Sequence, residues 1–420
     1  MNIPLMEKQY SELSLEITKE LDKKTKKEYG IFITPKIIIE KLFTRIHYYL
    51  ETLNIPVKRI LEPACGTCEI VEYMNNHFQN VEIDGIEINS FIFARIKSQP
   101  LNNSVKLINC DFLKYNIGVE TVYDLIVTNP PYFVCSPSSV GEEYKEYISG
   151  RPNIFGLFIL HSLKMLREGG LMAFIIPRSF LNSAYYNKIR RFIKETCIIL
   201  EIMDFEKDNK FIDTQQSTFG LIVRKKNQEI DIHKEETCKY SMKLGEQCIF
   251  TSDLSSLQKL LEGSTTLSKM ELGVKTGNIV WNEYKEYLTN DSDYSLLIYN
   301  SNIGDDNQLV LKNFNNQEKK QYIQVVGFNE CPIMVVNRGN GNSKYNLKYA
   351  IIETKQNYMV ENHLNVIYSK TGIPSEILLN KYNKIADSFR NPKTQEFIDL
   401  FLGNNGLSKT ELETIFPIYI

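Results

Sequence analysis

Apolar residues gather in short runs at 58–63, 82–88, 105–112, 123–128, 170–177, 197–205 and 217–225, each about as long as a strand. Stretches with helical spacing at 69–79, 89–99, 154–167 and 183–194 separate most of them. This alternation predicts an α/β fold, a mostly parallel sheet with helices on both faces. The last two runs lie too close together for a helical crossover, so they predict a terminal antiparallel hairpin at or near the sheet edge. Upstream, Leu13, Ile17 and Leu21 recur at every fourth position and predict an amphipathic helix within 11–27. A second helix is expected from Lys36 to about Leu53, with Thr34 as its N-cap and Pro35 as its first residue.

After about Gln228 the texture turns to polar turns and irregular short apolar runs around a lone Trp281, which places a boundary near 230–250. The expected organisation is a helical extension (1–28), a first domain (29–235) and a second, α+β domain (236–420). Residues 133–153 form a Ser-, Gly- and Tyr-containing stretch long enough for a functional lid.

At 420 residues the chain has room for two substantial cores. With 43% hydrophobic and 24% charged residues, neither disorder nor a fibrous form is indicated. No apolar run reaches the roughly 18 residues of a membrane span. The polar N-terminus does not read as a signal peptide, so a cytoplasmic protein is expected, with access to the nucleoid or nucleus. The net charge of −2 gives no global basic field, and any nucleic-acid surface must be local. Cys65 and Cys68 have the spacing of half a zinc site, but no second ligand pair follows, so no metal is expected.

The most informative stretch is Tyr123-Asp-Leu-Ile-Val-Thr-Asn-Pro-Pro-Tyr132, an apolar strand running into Asn129-Pro130-Pro131-Tyr132. A planar amino group could give its two hydrogens to the Asn129 side-chain oxygen and the Pro130 carbonyl, while Tyr132 stacks on the attached ring. That arrangement suits methylation of an exocyclic amine. Three other strand ends describe a ligand pocket. Leu61-Glu62-Pro-Ala-Cys-Gly66 leads into a turn where Gly66 permits close backbone approach and Glu62 can meet an amino group. Glu87 follows 21 positions after Gly66, an offset suited to two ribose hydroxyls. Asp111 could accept from an adenine amino group, with Phe112 flanking the ring. Singly, these are a turn glycine, a solvated cap and a helix N-cap; in succession they describe an adenosine pocket. The turn has neither G-x-G-x-x-G spacing nor a Walker lysine, so a cofactor without phosphates is expected.

In order and sequence, Phe32-Ile-Thr-Pro35, Leu61–Gly66, Gly85-Ile-Glu-Ile88, Cys110-Asp-Phe112, Asn129–Tyr132 and Gly169–Arg178 resemble the gamma-class adenine-N6 DNA methyltransferases. The resemblance covers about 29–225. It implies a Rossmann-like methyltransferase sheet followed by a target-recognition domain. It also implies S-adenosyl-L-methionine as cofactor, S-adenosylhomocysteine as product and double-stranded DNA as partner, with a separate cognate restriction endonuclease possible. Carried over residue by residue, cofactor contacts fall on Thr34, Glu62, Ala64, Gly66, Glu87, Ile88, Asp111, Phe112, Asn129 and Pro131. Catalytic positions fall on Asn129, Pro130, Tyr132 and Phe211, the last on the loop 210–217 that supports the other face of an extruded base. Lys275, Arg338 and Lys344 are candidate DNA contacts. One departure is visible: Cys68 stands where the cofactor loop usually ends in glycine.

Other amino-methyltransferases use the same tetrapeptide, so cytosine N4, ribosomal RNA and release-factor glutamine remain alternative substrates. A specificity subunit without catalysis is a further alternative. The large trailing domain and the Phe-x-Thr-Pro element favour DNA.

Overall fold

The computed structural model describes residues 9–22, 24–26, 30, 33–102, 104–115, 122–205, 217–227, 239–339, 345–402 and 406–420. The chain divides into two compact units, Met1–Met242 with Cys248–Leu254, and Lys243–Gln247 with Ser255–Ile420.

The first unit is built on a seven-stranded sheet of β1 (Arg59–Glu62), β2 (Glu82–Glu87), β3 (Val105–Asn109), β4 (Tyr123–Thr128), β5 (Leu166–Pro177), β6 (Cys197–Asp204) and β7 (Thr218–Lys225). Its order is β3-β2-β1-β4-β5-β7-β6. The first five strands run parallel, and β7 lies antiparallel to both β5 and β6. The hairpin read from the sequence therefore folds back so that β7 inserts beside β5 and β6 becomes the edge.

Side chains along the central strands alternate between two cores, as a period of two requires. Ile126, Met172, Phe174, Ile176, Phe219 and Leu221 enter one core. Leu125, Val127, Leu171, Ala173, Ile175 and Ile222 enter the other. Helices cover both faces. In chain order they are α1 (Glu12–Glu20), α2 (Lys36–Thr52), α3 (Glu69–His77), α4 (Ser90–Ile96), α5 (Ile154–Met165) and α6 (Asn187–Thr196). Helices α1 to α4 pack on the second core through Ile17, Leu42, Val71 and Ile92, whereas α5 and α6 pack on the first through Phe155, Leu160 and Ile189.

Helix α1 starts at Ser11, whose side chain accepts from the Ser14 N–H, and its Ile17 is fully buried. Helix α2 corrects one expectation: Pro35 is its N-cap, there is no side-chain cap bond, and Lys36 is its first residue. Thr34 does not cap because its hydroxyl is engaged elsewhere, as described below. The stretch 133–153 is held down by Tyr144, 3% exposed, whose hydroxyl meets His161 Nδ1 at 2.5 Å. His161 Nε2 lies 3.2 Å from the Tyr115 carbonyl, which fixes the ring with Nε2 donating and Nδ1 accepting.

The second unit contains an antiparallel four-stranded sheet ordered Leu272–Thr276, Leu364–Ser369, Ile333–Asn337, Tyr349–Ile352. A second, mixed four-stranded sheet and the helices Ser375–Phe389, Pro392–Phe401 and Lys409–Thr414 complete it. Among the described residues of the chain, no helix is long and apolar enough to cross a membrane.

Candidate active site

The C-terminal ends of β1, β2 and β4 and the turn after β3 open onto a cavity of about 230 Å³. All ten residues marked in the sequence as cofactor contacts line it: Thr34, Glu62, Ala64, Gly66, Glu87, Ile88, Asp111, Phe112, Asn129 and Pro131. Of the residues marked as catalytic, Asn129 lines the wall, and Pro130 and Tyr132 follow it without doing so. Phe211 lies outside the described residues, as does Lys344 of the second unit.

Charge in this cavity is one-sided. Glu62, Glu69, Glu87 and Asp111 line it, and among the described residues no lysine, arginine or histidine does. Glu62 is fully buried. One of its oxygens accepts from the Ala64 N–H at 3.3 Å, and among the described residues the other, Oε2, has no hydrogen-bond partner. Burial pushes the Glu62 carboxyl up to about 8; the nearby Thr128 hydroxyl, which forms no well-shaped hydrogen bond with Oε2, and the Ala64 N–H pull less strongly the other way. Glu87 is raised as well, chiefly by burial, although it accepts from the Gly66 N–H at 2.9 Å and the Asn89 N–H at 2.7 Å. Asp111 spends one oxygen on the Leu113 N–H at 3.1 Å, capping a short 3-10 turn, so it is a cap and a wall residue at once. Ile88, 52% exposed, and Phe112 supply apolar wall.

An orphaned carboxylate oxygen in an acid-lined cavity fits a ligand that carries positive charge and no phosphate. S-adenosylmethionine, with an ammonium and a sulfonium, is such a ligand.

The cofactor turn is shaped by backbone that few residues tolerate. Gly66 sits at φ +51°, and Cys68 sits at φ 72° and ψ 17° as the N-cap of α3. A cysteine in the left-handed region is the visible cost of departing from glycine there. Its fully buried side chain packs in the second core.

At the end of β4 the Asn129 carboxamide donates through Nδ2 to Thr34 Oγ1 at 3.0 Å. This bond fixes which way the carboxamide faces, and it explains why Thr34 does not cap α2. The Tyr132 hydroxyl reaches both Asn129 Oδ1 and the Ile175 carbonyl, the latter at 2.7 Å. One phenolic proton serves two acceptors, so directing it to Ile175 exchanges the Asn129 contact for an incoming N–H. The Tyr132 ring stands edge-on to Phe155, with centroids 6.2 Å apart. Gly30, at φ +61°, presses on this segment: a Cβ there would lie 2.8 Å from the Tyr132 nitrogen and 2.9 Å from Pro131 Cβ. Gly30→Ala is therefore expected to leave the protein folded yet lower turnover at least tenfold, because displacing positioned groups is costly. Steady-state kinetics alongside circular dichroism checks it, and unchanged turnover would show that the contact is not limiting.

Sequence reasoning missed part of the wall, notably Phe133, Ile154 and Phe158, and also Thr67 and Glu69 on the cofactor turn. The near-continuous apolar character of 154–165 announced a buried helix but not which side chains face a ligand.

In the second unit, Lys275 lies over the rings of Phe328 and Tyr368, 5.0 and 5.3 Å from their centroids. The Arg338 guanidinium donates to the Asn362 carbonyl at 2.9 Å, so it braces its own fold.

Residues 11–211 match the model of the Eco57I restriction-modification methylase family. Over 419 residues the chain is 27% identical to the modification methylase CviBIII of Paramecium bursaria Chlorella virus NC1A, covering 98% of this chain and 99% of that one. It is 26% identical over 419 residues to the type II methyltransferase M.CvrRI of Paramecium bursaria Chlorella virus XZ-6E, covering 98% and 100%. A 148-residue stretch is 30% identical to the type II methyltransferase M.TthHB8I of Thermus thermophilus, covering 32% of this chain and 33% of that one. By fold, cavity and these matches, S-adenosylmethionine is the cofactor of the first unit, and residues 11–211, just under half of the chain, are similar to the Eco57I restriction-modification methylases.

Proposed function

We propose that the chain is a site-specific DNA methyltransferase that modifies adenine N6 of a base turned out of the duplex. The observation that carries this reading is the Asn129 carboxamide, held by Thr34 at the mouth of an acid-lined cavity suited to S-adenosylmethionine. When bound, the cofactor supplies an electrophilic methyl group on a sulfonium. The chain's residues do the rest. Asn129 Oδ1 and the Pro130 carbonyl accept the two amino hydrogens and draw the nitrogen lone pair out of conjugation with the ring. The same acceptors stabilise the positive charge that develops on the amine. Neither a cysteine nor a covalent enzyme intermediate is needed.

An adenine inside a duplex cannot reach such a pocket, so extrusion is part of the reading. Tyr132 on one face and Phe211 on the other would stack on the base. Stacking worth about 1–3 kcal/mol per base compares with the few kcal/mol that extrusion costs. Within the pocket, Glu62 would meet the cofactor ammonium, Glu87 the ribose hydroxyls, and Asp111 and Phe112 the adenine. The second unit would serve as the target-recognition domain, with Lys275, Arg338 and Lys344 as candidate contacts. A separate cognate endonuclease fits the restriction-modification relatives.

Nucleoside mass spectrometry after incubating the protein with mixed-sequence duplex DNA and S-adenosylmethionine tests the reading. The expected product is 6-methyladenine. Formation of 4-methylcytosine, or of methylated protein or ribosomal RNA in parallel reactions, would replace it.

A further inference from the structure

Helix α1 was expected to stand outside the first domain, yet its first turn is hydrogen-bonded into the cofactor turn. Ser14 Oγ, fully buried, donates to Thr67 Oγ1 at 2.8 Å. Thr67 Oγ1 donates in turn to Glu69 Oε2 at 2.5 Å, and Ser11 Oγ donates to Glu69 Oε1 at 2.9 Å. Thr67 and Glu69 both line the cavity, on either side of the strained Cys68. The Glu69 carboxyl is raised by burial, and the Thr67 and Ser11 hydroxyls oppose that rise. Elsewhere α1 is held by Ile17 in the second core and by Arg95 of α4, which meets Glu16 at 3.2 Å and Glu20 at 2.9 Å. Those exposed ion pairs contribute little. The hydroxyl chain is thus the link that connects α1 to the site.

We propose that α1 is a brace for the cofactor turn, with Ser11 and Ser14 as positioning residues that hold Thr67 and Glu69 in the shape that receives S-adenosylmethionine. A turn containing a cysteine at φ 72° has an unfavourable backbone to maintain, and two hydroxyl contacts from α1, Ser14 to Thr67 and Ser11 to Glu69, hold it from outside. Whatever binds the shaped turn must also favour the docked helix, because coupling between two sites is reciprocal. Cofactor binding should therefore protect α1, and loosening α1 should weaken cofactor binding, although α1 itself contributes no residue to the cavity wall.

The inference rests on the cavity being the cofactor site, and the test separates the two claims. Cofactor affinity of the full-length protein would be measured by titration calorimetry with S-adenosylmethionine and S-adenosylhomocysteine for wild type, Ser14→Ala, Ser14→Thr and Ser11→Ala. Ser14→Ala is expected to weaken binding about tenfold, the loss of one buried hydrogen bond. KM for the cofactor should rise with kcat unchanged at saturation, and Ser14→Thr should restore most of the affinity. Hydrogen exchange over 12–20 in wild type should slow when cofactor is added, and that protection should vanish in Ser14→Ala. Should Ser14→Ala fail to fold, Ser11→Ala and the wild-type exchange experiment carry the same test. Wild-type binding with unaltered affinity in the variants and no protection of 12–20 would overturn the brace and leave the cavity assignment standing. Absence of wild-type binding would overturn the cavity assignment itself, and the brace with it.

Discussion

Asn129→Ala is expected to reduce methyl transfer about a thousandfold while leaving cofactor binding nearly intact. Removing one group that stabilises developing charge typically costs about 10²–10³ in turnover. Here the loss should lie at the upper end, because the same side chain both accepts the amino hydrogen and is the partner of Thr34 and Tyr132. Truncation leaves the Thr34 hydroxyl and the Tyr132 phenol without the group that organised them. Asn129→Asp keeps an acceptor oxygen at this position and should retain more activity than alanine. A tritiated-methyl assay on duplex DNA, run beside calorimetric cofactor binding, gives both numbers. Near-normal turnover in the alanine variant would remove Asn129 from the mechanism.

The second large effect is expected at Glu62. Its carboxyl is raised to about 8 from an ordinary value of 4.5 by burial. The cofactor-free folded state therefore holds a proton that the unfolded chain has released. Stability of the cofactor-free protein should fall as pH rises from about 4.5 to about 8, then level off. A cationic ligand reverses the preference, since it needs the carboxylate. Below pH 8 binding should release up to one proton, and affinity should climb by as much as about tenfold per pH unit. Glu62→Gln removes both dependences. The variant should be more stable than wild type without cofactor near pH 8, yet bind cofactor ~10–100-fold more weakly, the worth of a hydrogen bond to a charged group. Calorimetry in buffers of different ionisation enthalpy, from pH 6 to 9, reads proton release directly. Equal release in wild type and variant would assign the titration to another group.

The strand ends were legible because several local signals coincide there. Alternation along β4 and β5 marks which residues face which core, and an acid or glycine placed directly after an apolar run marks a strand's carboxyl end. Glu62 and Glu87 were placed at strand ends in this way. Thr34 was read as a helix cap because Thr-Pro is a good local start signal, but its actual partner is 95 positions away. Local propensity carries no record of such a contact. The contacts of Ser11 and Ser14 with Glu69 and Thr67 span 58 and 53 positions and were invisible for the same reason. The wall residue Phe158 sits in a helix so uniformly apolar that no periodicity distinguishes a ligand face from a packing face, and Phe133 opens a polar stretch that was read only as a lid. The insertion of β7 beside β5 was likewise beyond pattern reading, since a hairpin can add to a sheet by either of its strands.

Among the described residues no basic side chain lines the cavity, which bears on life in a crowded cell. Adenosine is also the handle of ATP, NAD and coenzyme A, all of which carry phosphates. A pocket that recognised adenosine alone would admit them. An acid-lined wall should turn each phosphate into a penalty, so these competitors are expected to be disfavoured by charge. Inhibitors aimed at this site should therefore follow the same rule: adenosine analogues bearing an amine in place of the sulfonium should be admitted, and their phosphorylated counterparts turned away.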